Sequence, residues 1–192
     1  MNEGFGCCRF AHTQRIDRRQ TLALIGTAAM IAALGAPSQA LATATQMAPL
    51  SSDEHFMRMA LAEAAEGDLL FGAVIVLDGE VLSKGRNLGK TTNDPTAHGE
   101  MVAIRRFVSV RPAAELKGAT LYTTGEPCPM CMSAILWCGI GRVVFAASIE
   151  ELATKIGQIM LTSRTVADAA PFANIAITGG ILSAEALALF SN

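Results

Sequence analysis

Two cysteines three residues apart, in Glu126-Pro127-Cys128-Pro129-Met130-Cys131, are the residues of this chain best suited to chemistry. At i and i+3 on a helix their sulfurs share one face. Pro127 suits a first helical position, where its missing N–H is no loss, and the amide dipoles exposed at a helix start favour thiolate over thiol. Thiolates are what zinc binds. Such a pair also occurs in redox sites and in structural zinc knuckles, and on the pair alone those readings stay open.

Candidates for a third ligand are few, because after Thr43 the chain holds only His55 and His98. His98 lies in Asn93-Asp94-Pro95-Thr96-Ala97-His98-Gly99-Glu100, where Pro95 and Thr96 mark a second helix start. If both starts point at one spot, His98, Cys128 and Cys131 make a three-ligand zinc site with an open fourth position for water, the mark of a catalytic zinc. Glu100 is two residues from His98, and on a regular helix the two diverge, so they act together only at a helix end with the metal over the axis. There Glu100 serves as the general acid/base, carrying a proton from zinc-bound water to a ring nitrogen. Zinc brings its water to a pKa of about 7, so hydroxide is available to attack an amino-bearing ring carbon and expel ammonia. His-x-Glu followed by Pro-Cys-x-x-Cys, here after about 30 residues, is the pattern of the zinc base deaminases.

The elements that must position these groups read as an alternation. A first helix opens at Ser52 or Asp53, carries Phe56, Met59, Ala60 and Ala64, and ends near Gly67. Strands over 73–77 and 81–83 around Asp78-Gly79-Glu80 form a hairpin. Helices follow over 97–108 and 128–137, strands over 119–123, 143–147 and 175–178, and shorter helices over 150–156 and 183–190. This predicts an α/β domain, a three-layer α/β/α sandwich on a mixed five-stranded sheet. Cys138, about two turns beyond Cys131, is too far along its helix to reach the same metal, and Trp137 and Cys138 read as packing residues. Met57, Met59, Met101, Met130 and Met132 read as core filler, and His55 as surface.

With 51% hydrophobic and 17% charged residues, the 192-residue chain has the composition of one globular domain and not of a disordered or fibrous protein. Residues 1–42 read separately. Arg9, Arg15, Arg18 and Arg19 precede an uncharged run over 22–34 and a small-residue stretch around Ser38-Gln39-Ala40 and Ala40-Leu41-Ala42, the layout of a secretory leader. Arg18-Arg19 with Gln20-Thr21-Leu22 resembles a twin-arginine signal. The expectation is a twin-arginine-type signal peptide over 1–42, a linker over 43–51, a zinc-dependent domain over 52–192, and a periplasmic location. The uncharged run is roughly 13 to 16 residues, short of the ~20 that span a bilayer, so no permanent membrane anchor is expected.

Four of the 15 Lys and Arg and two of the 17 Asp and Glu precede Thr43, so the remainder carries 11 against 15, a net of −4. Without a basic run, no nucleic-acid partner is expected. Cys7 and Cys8 belong to the leader, and the remaining three cysteines are a poor disulfide framework even for an exported protein.

The chain resembles the cytidine deaminase-like superfamily, within it the branch of guanine deaminases, fungal cytosine deaminases and tRNA adenosine deaminases. Gly85-Arg86-Asn87, Thr92-Asn93-Asp94-Pro95-Thr96-Ala97-His98 and Leu121-Tyr122-Thr123-Thr124-Gly125-Glu126-Pro127-Cys128-Pro129-Met130-Cys131 look most like guanine deaminases. The resemblance covers 52–147 well and the rest weakly. It implies that Asn87 hydrogen-bonds the substrate ring, that the Ala97 backbone helps hold it, and that the protein is a homodimer, for which the apolar stretch 134–140 offers an interface. Gly99 stands where guanine and tRNA deaminases usually have alanine and resembles fungal cytosine deaminases there. The aromatic tail of bacterial guanine deaminases is absent; Phe190 reads either as a cap over the pocket or as a core contact of the last helix. The resulting expectation is zinc-dependent hydrolytic deamination of a nucleobase or nucleoside, a guanine-type purine favoured. The alternatives are tRNA adenosine deamination, a non-catalytic zinc-stabilised module, and thiol–disulfide exchange by Cys128 and Cys131.

Overall fold

The computed structural model describes residues 44–191; the leader expected over 1–42 lies outside them. In chain order the elements are β1 (Thr45–Gln46), α1 (Asp53–Ala65), β2 (Gly72–Leu77), β3 (Glu80–Arg86), α2 (Gly99–Val108), β4 (Thr120–Gly125), α3 (Pro129–Trp137), β5 (Arg142–Ala147), α4 (Ile149–Ala153), α5 (Ser163–Asp168), β6 (Ala176–Thr178) and α6 (Ser183–Ala188). Short 3₁₀ turns occupy Ala113–Leu116 and Leu189–Ser191. None of the described helices is long and apolar enough to cross a membrane.

The hairpin forms where the sequence places it. Asp78 and Gly79 both have positive φ, 51° and 81°, the two-residue turn whose twist matches its flanking strands. The strands then assemble in the order β1-β6-β5-β4-β2-β3, with β2 antiparallel to both β3 and β4 and the other neighbours parallel. Among the described residues the sheet has six strands and not five. Thr45 and Gln46 pair in parallel with Ala176 and Ile177, within the stretch expected to be a linker. A strand of two residues is too short to show alternation, so only its partner reveals it.

Side chains on alternate positions divide into two cores. Ala73 and Ile75 of β2, Leu121 of β4 and Val143 of β5 pack with Ile104 and Phe107 of α2 and Met132 and Ile135 of α3. Val74 and Val76, Tyr122, Val144 and Ala146 face the other way, against Phe56, Met57 and Ala60 of α1 and Ala186 of α6. This is the expected three-layer sandwich, and each fully buried large side chain contributes about 1.5–3 kcal/mol. The helices approach the sheet at glycines: a Cβ at Gly72 would run into the Ala60 carbonyl, and one at Gly85 into the Gly99 carbonyl at the start of α2.

At the β5 entrance a buried polar network locks α1 to the sheet. The Arg142 guanidinium donates to both carboxylate oxygens of Asp53 at 2.7 and 2.8 Å and to Thr178 Oγ1 at 2.9 Å, and the Tyr122 hydroxyl donates to Asp53 at 3.0 Å. Burial opposes ionisation of Asp53, but the Arg142 hydrogen bonds, the Leu50 N–H and the guanidinium charge outweigh it and hold the carboxyl below the usual range. Two packing expectations differ. Trp137 is 76% exposed and stacks on the exposed Phe172 with ring centroids 4.6 Å apart, because Ile135 and Leu136 take the inward side of α3. Met57 and Met132 are fully buried, whereas Met59, Met101 and Met130 are half-buried. His55 is exposed, as expected.

Candidate metal centre and substrate cavity

Two helix starts converge at the end of β4. His98 is the N-cap of α2 and Cys128 the N-cap of α3, both in extended backbone with ψ of 157° and 165°. The first helical position of α3 belongs to Pro129 and not to Pro127, one residue pair later than the sequence suggests, and Cys131 follows a turn after the cap. Gly85 lets α2 lie directly on β3, which seats His98 beside the cysteines.

His98 Nδ1 is 3.7 Å from Cys128 Sγ and 3.6 Å from Cys131 Sγ, and the three donor atoms all lie within 4.8 Å of one another. An ion bound tetrahedrally at about 2.3 Å from sulfur and 2.0–2.1 Å from nitrogen sets those ligands about 3.6 Å apart, so the donor set and its spacing fit zinc. Without a metal, the Cys131 thiol hydrogen bond, with help from His98, brings Cys128 down to about 4. The same hydrogen bond and burial push Cys131 up, so the pair holds its first negative charge on Cys128. His98 is raised chiefly by its hydrogen bond to Cys128. Cys138, half-buried against the core, takes no part; burial alone pushes its thiol up. Glu100, in the first turn of α2, is 5% exposed, and burial raises its carboxyl.

These groups floor a cavity of about 210 Å³ that includes His98, Glu100 and Cys128. Its apolar walls are Leu69, Phe71, Leu152 and Ile156, and its polar lining includes Asn87 and Gln158. Asn87 is buried and its Oδ1 accepts the Gly89 N–H at 3.0 Å, which leaves Nδ2 free to donate. Ala97 does not line the cavity: its N–H donates to Asp94 O and its carbonyl accepts from Leu88 N. Phe190 does not line it either but packs on Phe71 with ring centroids 5.2 Å apart, supporting the wall from behind.

Two residues with no assigned role in the sequence stand out. Buried Glu126, two residues before Cys128, accepts the Ile149 N–H on Oε2 at 3.0 Å and the Ser163 N–H and hydroxyl on Oε1 at 2.8 and 2.7 Å. It thereby grips the starts of α4 and α5 together. Gln158 lies between them in a stretch with no helix or strand. Glu126 is visible in the motif, but its partners lie 23 and 37 residues away, beyond any local pattern.

Residues 50–147 match the family described as the cytidine and deoxycytidylate deaminase zinc-binding region. Guanine deaminase from Bacillus subtilis (strain 168) is 44% identical over 105 residues, 52% of this chain and 67% of that protein. The tRNA-specific adenosine deaminase of the same organism is 38% identical over 102 residues, 51% of this chain and 63% of that protein. Among solved structures, one from studies of A-to-I editing by tRNA:A34 deaminases superposes with a TM-score of 0.59 and 31% identity, covering 70% of this chain and 98% of that one. The B. subtilis guanine deaminase structure matches at 0.50 and 43% identity, over 53% of this chain and 68% of that one. Motif, fold and metal-ligand geometry agree with these likenesses: the chain belongs to the cytidine and deoxycytidylate deaminase zinc-binding family.

Proposed function

We propose that this protein is a zinc-dependent hydrolytic deaminase of a free nucleobase or nucleoside, with a guanine-type purine as its substrate. The observation that carries the reading is the placement of Glu100, buried beside the three ligand atoms at the floor of the cavity. Zinc, when bound by His98, Cys128 and Cys131, lowers the pKa of water to about 7 and supplies Lewis acidity at the floor. The chain's own residues do the rest. Glu100 accepts one proton from water and delivers it to the ring nitrogen next to the amino-bearing carbon, then takes the second proton from the hydroxyl added to that carbon and passes it to the amino group, which leaves as ammonia as the carbonyl forms. Asn87 Nδ2 donates to an acceptor on the ring. Phe71, Leu152 and Ile156 hold the ring's faces and exclude water.

Deamination of adenosine in tRNA is the second reading, favoured by the likeness to tRNA-specific deaminases. The net charge of −4 after Thr43 and the lack of a basic run support the small substrate. The leader-like sequence over 1–42 supports a periplasmic location. The exposed Trp137–Phe172 pair, next to the apolar stretch 134–140, supports a homodimer, which sedimentation tests.

The test is ammonia release by the zinc-loaded protein from guanine, adenine, cytosine and their nucleosides. Turnover of guanine or guanosine is expected. Silence on all of them, with zinc bound, would exclude the proposal.

A further inference from the structure

One wall of the cavity comes from residues that the family match, ending at residue 147, does not reach. After β5 the chain runs through α4, crosses the cavity mouth over 154–162, and returns as α5. Glu126 fixes both ends of this excursion with three hydrogen bonds of 2.7 to 3.0 Å. Each end is also capped locally: Ser148 and Glu151 exchange a capping box on α4, and Thr162 accepts from Thr165 N on α5. Between these anchors the backbone at Gly157 faces open space, since a Cβ there would meet nothing within 4 Å, while Ile156 and Gln158 on either side are half-buried. The result is a loop tethered firmly at its base, with Ile156, Gln158 and Ile159 carried to the cavity.

Gln158 differs from the other polar groups of the cavity. Both oxygens of Glu126 are committed to the loop. Glu100 sits at the metal floor, and Asn87 is oriented by the Gly89 N–H on its Oδ1, which turns its Nδ2 outward as a donor. Gln158, half-buried, lines the same cavity from the loop and brings a carboxamide with donor and acceptor both unpartnered among the described residues. A carboxamide pairs in bidentate fashion with a ring edge carrying a carbonyl beside an N–H: its NH₂ donates to the carbonyl oxygen and its oxygen accepts from the ring N–H. Among aminated bases, a 2-amino-6-oxopurine has such an edge next to the amino-bearing carbon, whereas 2,6-diaminopurine, adenine and cytosine present a bare ring nitrogen there.

We propose that Gln158 is a specificity-determining residue that reads the lactam edge of a 2-amino-6-oxopurine, held over the cavity by the loop that Glu126 clasps. The inference rests on the guanine-type reading above. A site built to hydrogen-bond an edge discriminates against an analogue lacking it, because the buried polar group is then left unpaired.

The experiment compares kcat/KM for guanine and 2,6-diaminopurine in the zinc-loaded full chain and in Gln158→Leu and Gln158→Glu. For Gln158→Leu the guanine value is expected to fall at least tenfold further than the 2,6-diaminopurine value, mainly through KM, with zinc content retained. Gln158→Glu, which places an acceptor against the carbonyl oxygen, should lose at least as much on guanine. A parallel fall on both substrates, or no change on either, would overturn the role of Gln158 and leave the deaminase reading standing. Failure of the unsubstituted zinc-loaded protein to turn over either compound would overturn both.

Discussion

Asp53 and Arg142, 89 residues apart in the chain, meet in a bidentate ion pair that is almost wholly shielded from water. The pair sits where β5 begins, while the metal ligands gather where β4 ends, so it stabilises the sandwich without touching the site. Because the folded-state pKa of Asp53 is depressed, its contribution is complete above the unfolded value of about 3.9 and is lost as pH falls through the lower folded value. Asp53→Asn should therefore cost about 3–5 kcal/mol near neutrality, since it leaves a buried guanidinium uncompensated. Below about pH 4 the gap between the two proteins should narrow. Thermal unfolding of both zinc-free proteins from pH 2.5 to 7 checks this, and parallel profiles would refute it.

Glu100→Gln should bind zinc at the native stoichiometry yet release ammonia at least about 10²-fold more slowly, within the usual range for loss of a general acid/base. The measurements are metal content and ammonia on the same sample. An active variant would remove Glu100 from the proton path.

Cys128→Ser and Cys131→Ser should each lose most of their zinc, while Cys138→Ser keeps it, because only the first two sulfurs face His98. Chelation should lower the melting temperature of the native protein, and free zinc at a hundredfold excess over Kd should restore about 2.7 kcal/mol. Zinc loss from Cys138→Ser, or chelation that lowers the melting temperature of the native protein but not of Cys138→Ser, would point to a wrong ligand set.

Gly85→Ala should destabilise the domain by about 1–3 kcal/mol, as its methyl meets the Gly99 carbonyl and the Ala103 amide. The displaced turn carries His98, so zinc affinity should fall along with stability. Competition with a chromophoric chelator reads the affinity, and an unchanged value would mean that α2 is not set by this contact.

That His98, Cys128 and Cys131 come together with Glu100 was legible in the sequence, because few residue types can do their chemistry and all four sit at helix starts that capping signals reveal. The layered fold was legible through strands with clear alternation such as β2. What escaped depends on distant partners. Thr45 and Gln46 are a strand only because Ala176 and Ile177 lie beside them. Trp137 reads as core by type, yet Ile135 and Leu136 take the inward side of α3 and leave it at the surface, stacked on Phe172. Gln158 sits in an aperiodic segment, and Glu126 is recognisable as its anchor only once Ile149 and Ser163 are seen to converge.

That convergence makes residues 154–162, between buried anchors at Ile149, Leu152 and Ser163, an exchangeable loop. A segment that departs and returns at one carboxylate can be lengthened, shortened or rewritten between its two attachment points without transmitting strain to the catalytic half. If Gln158 reads the substrate as proposed, grafting this loop onto a relative that keeps the glutamate should carry its preference with it.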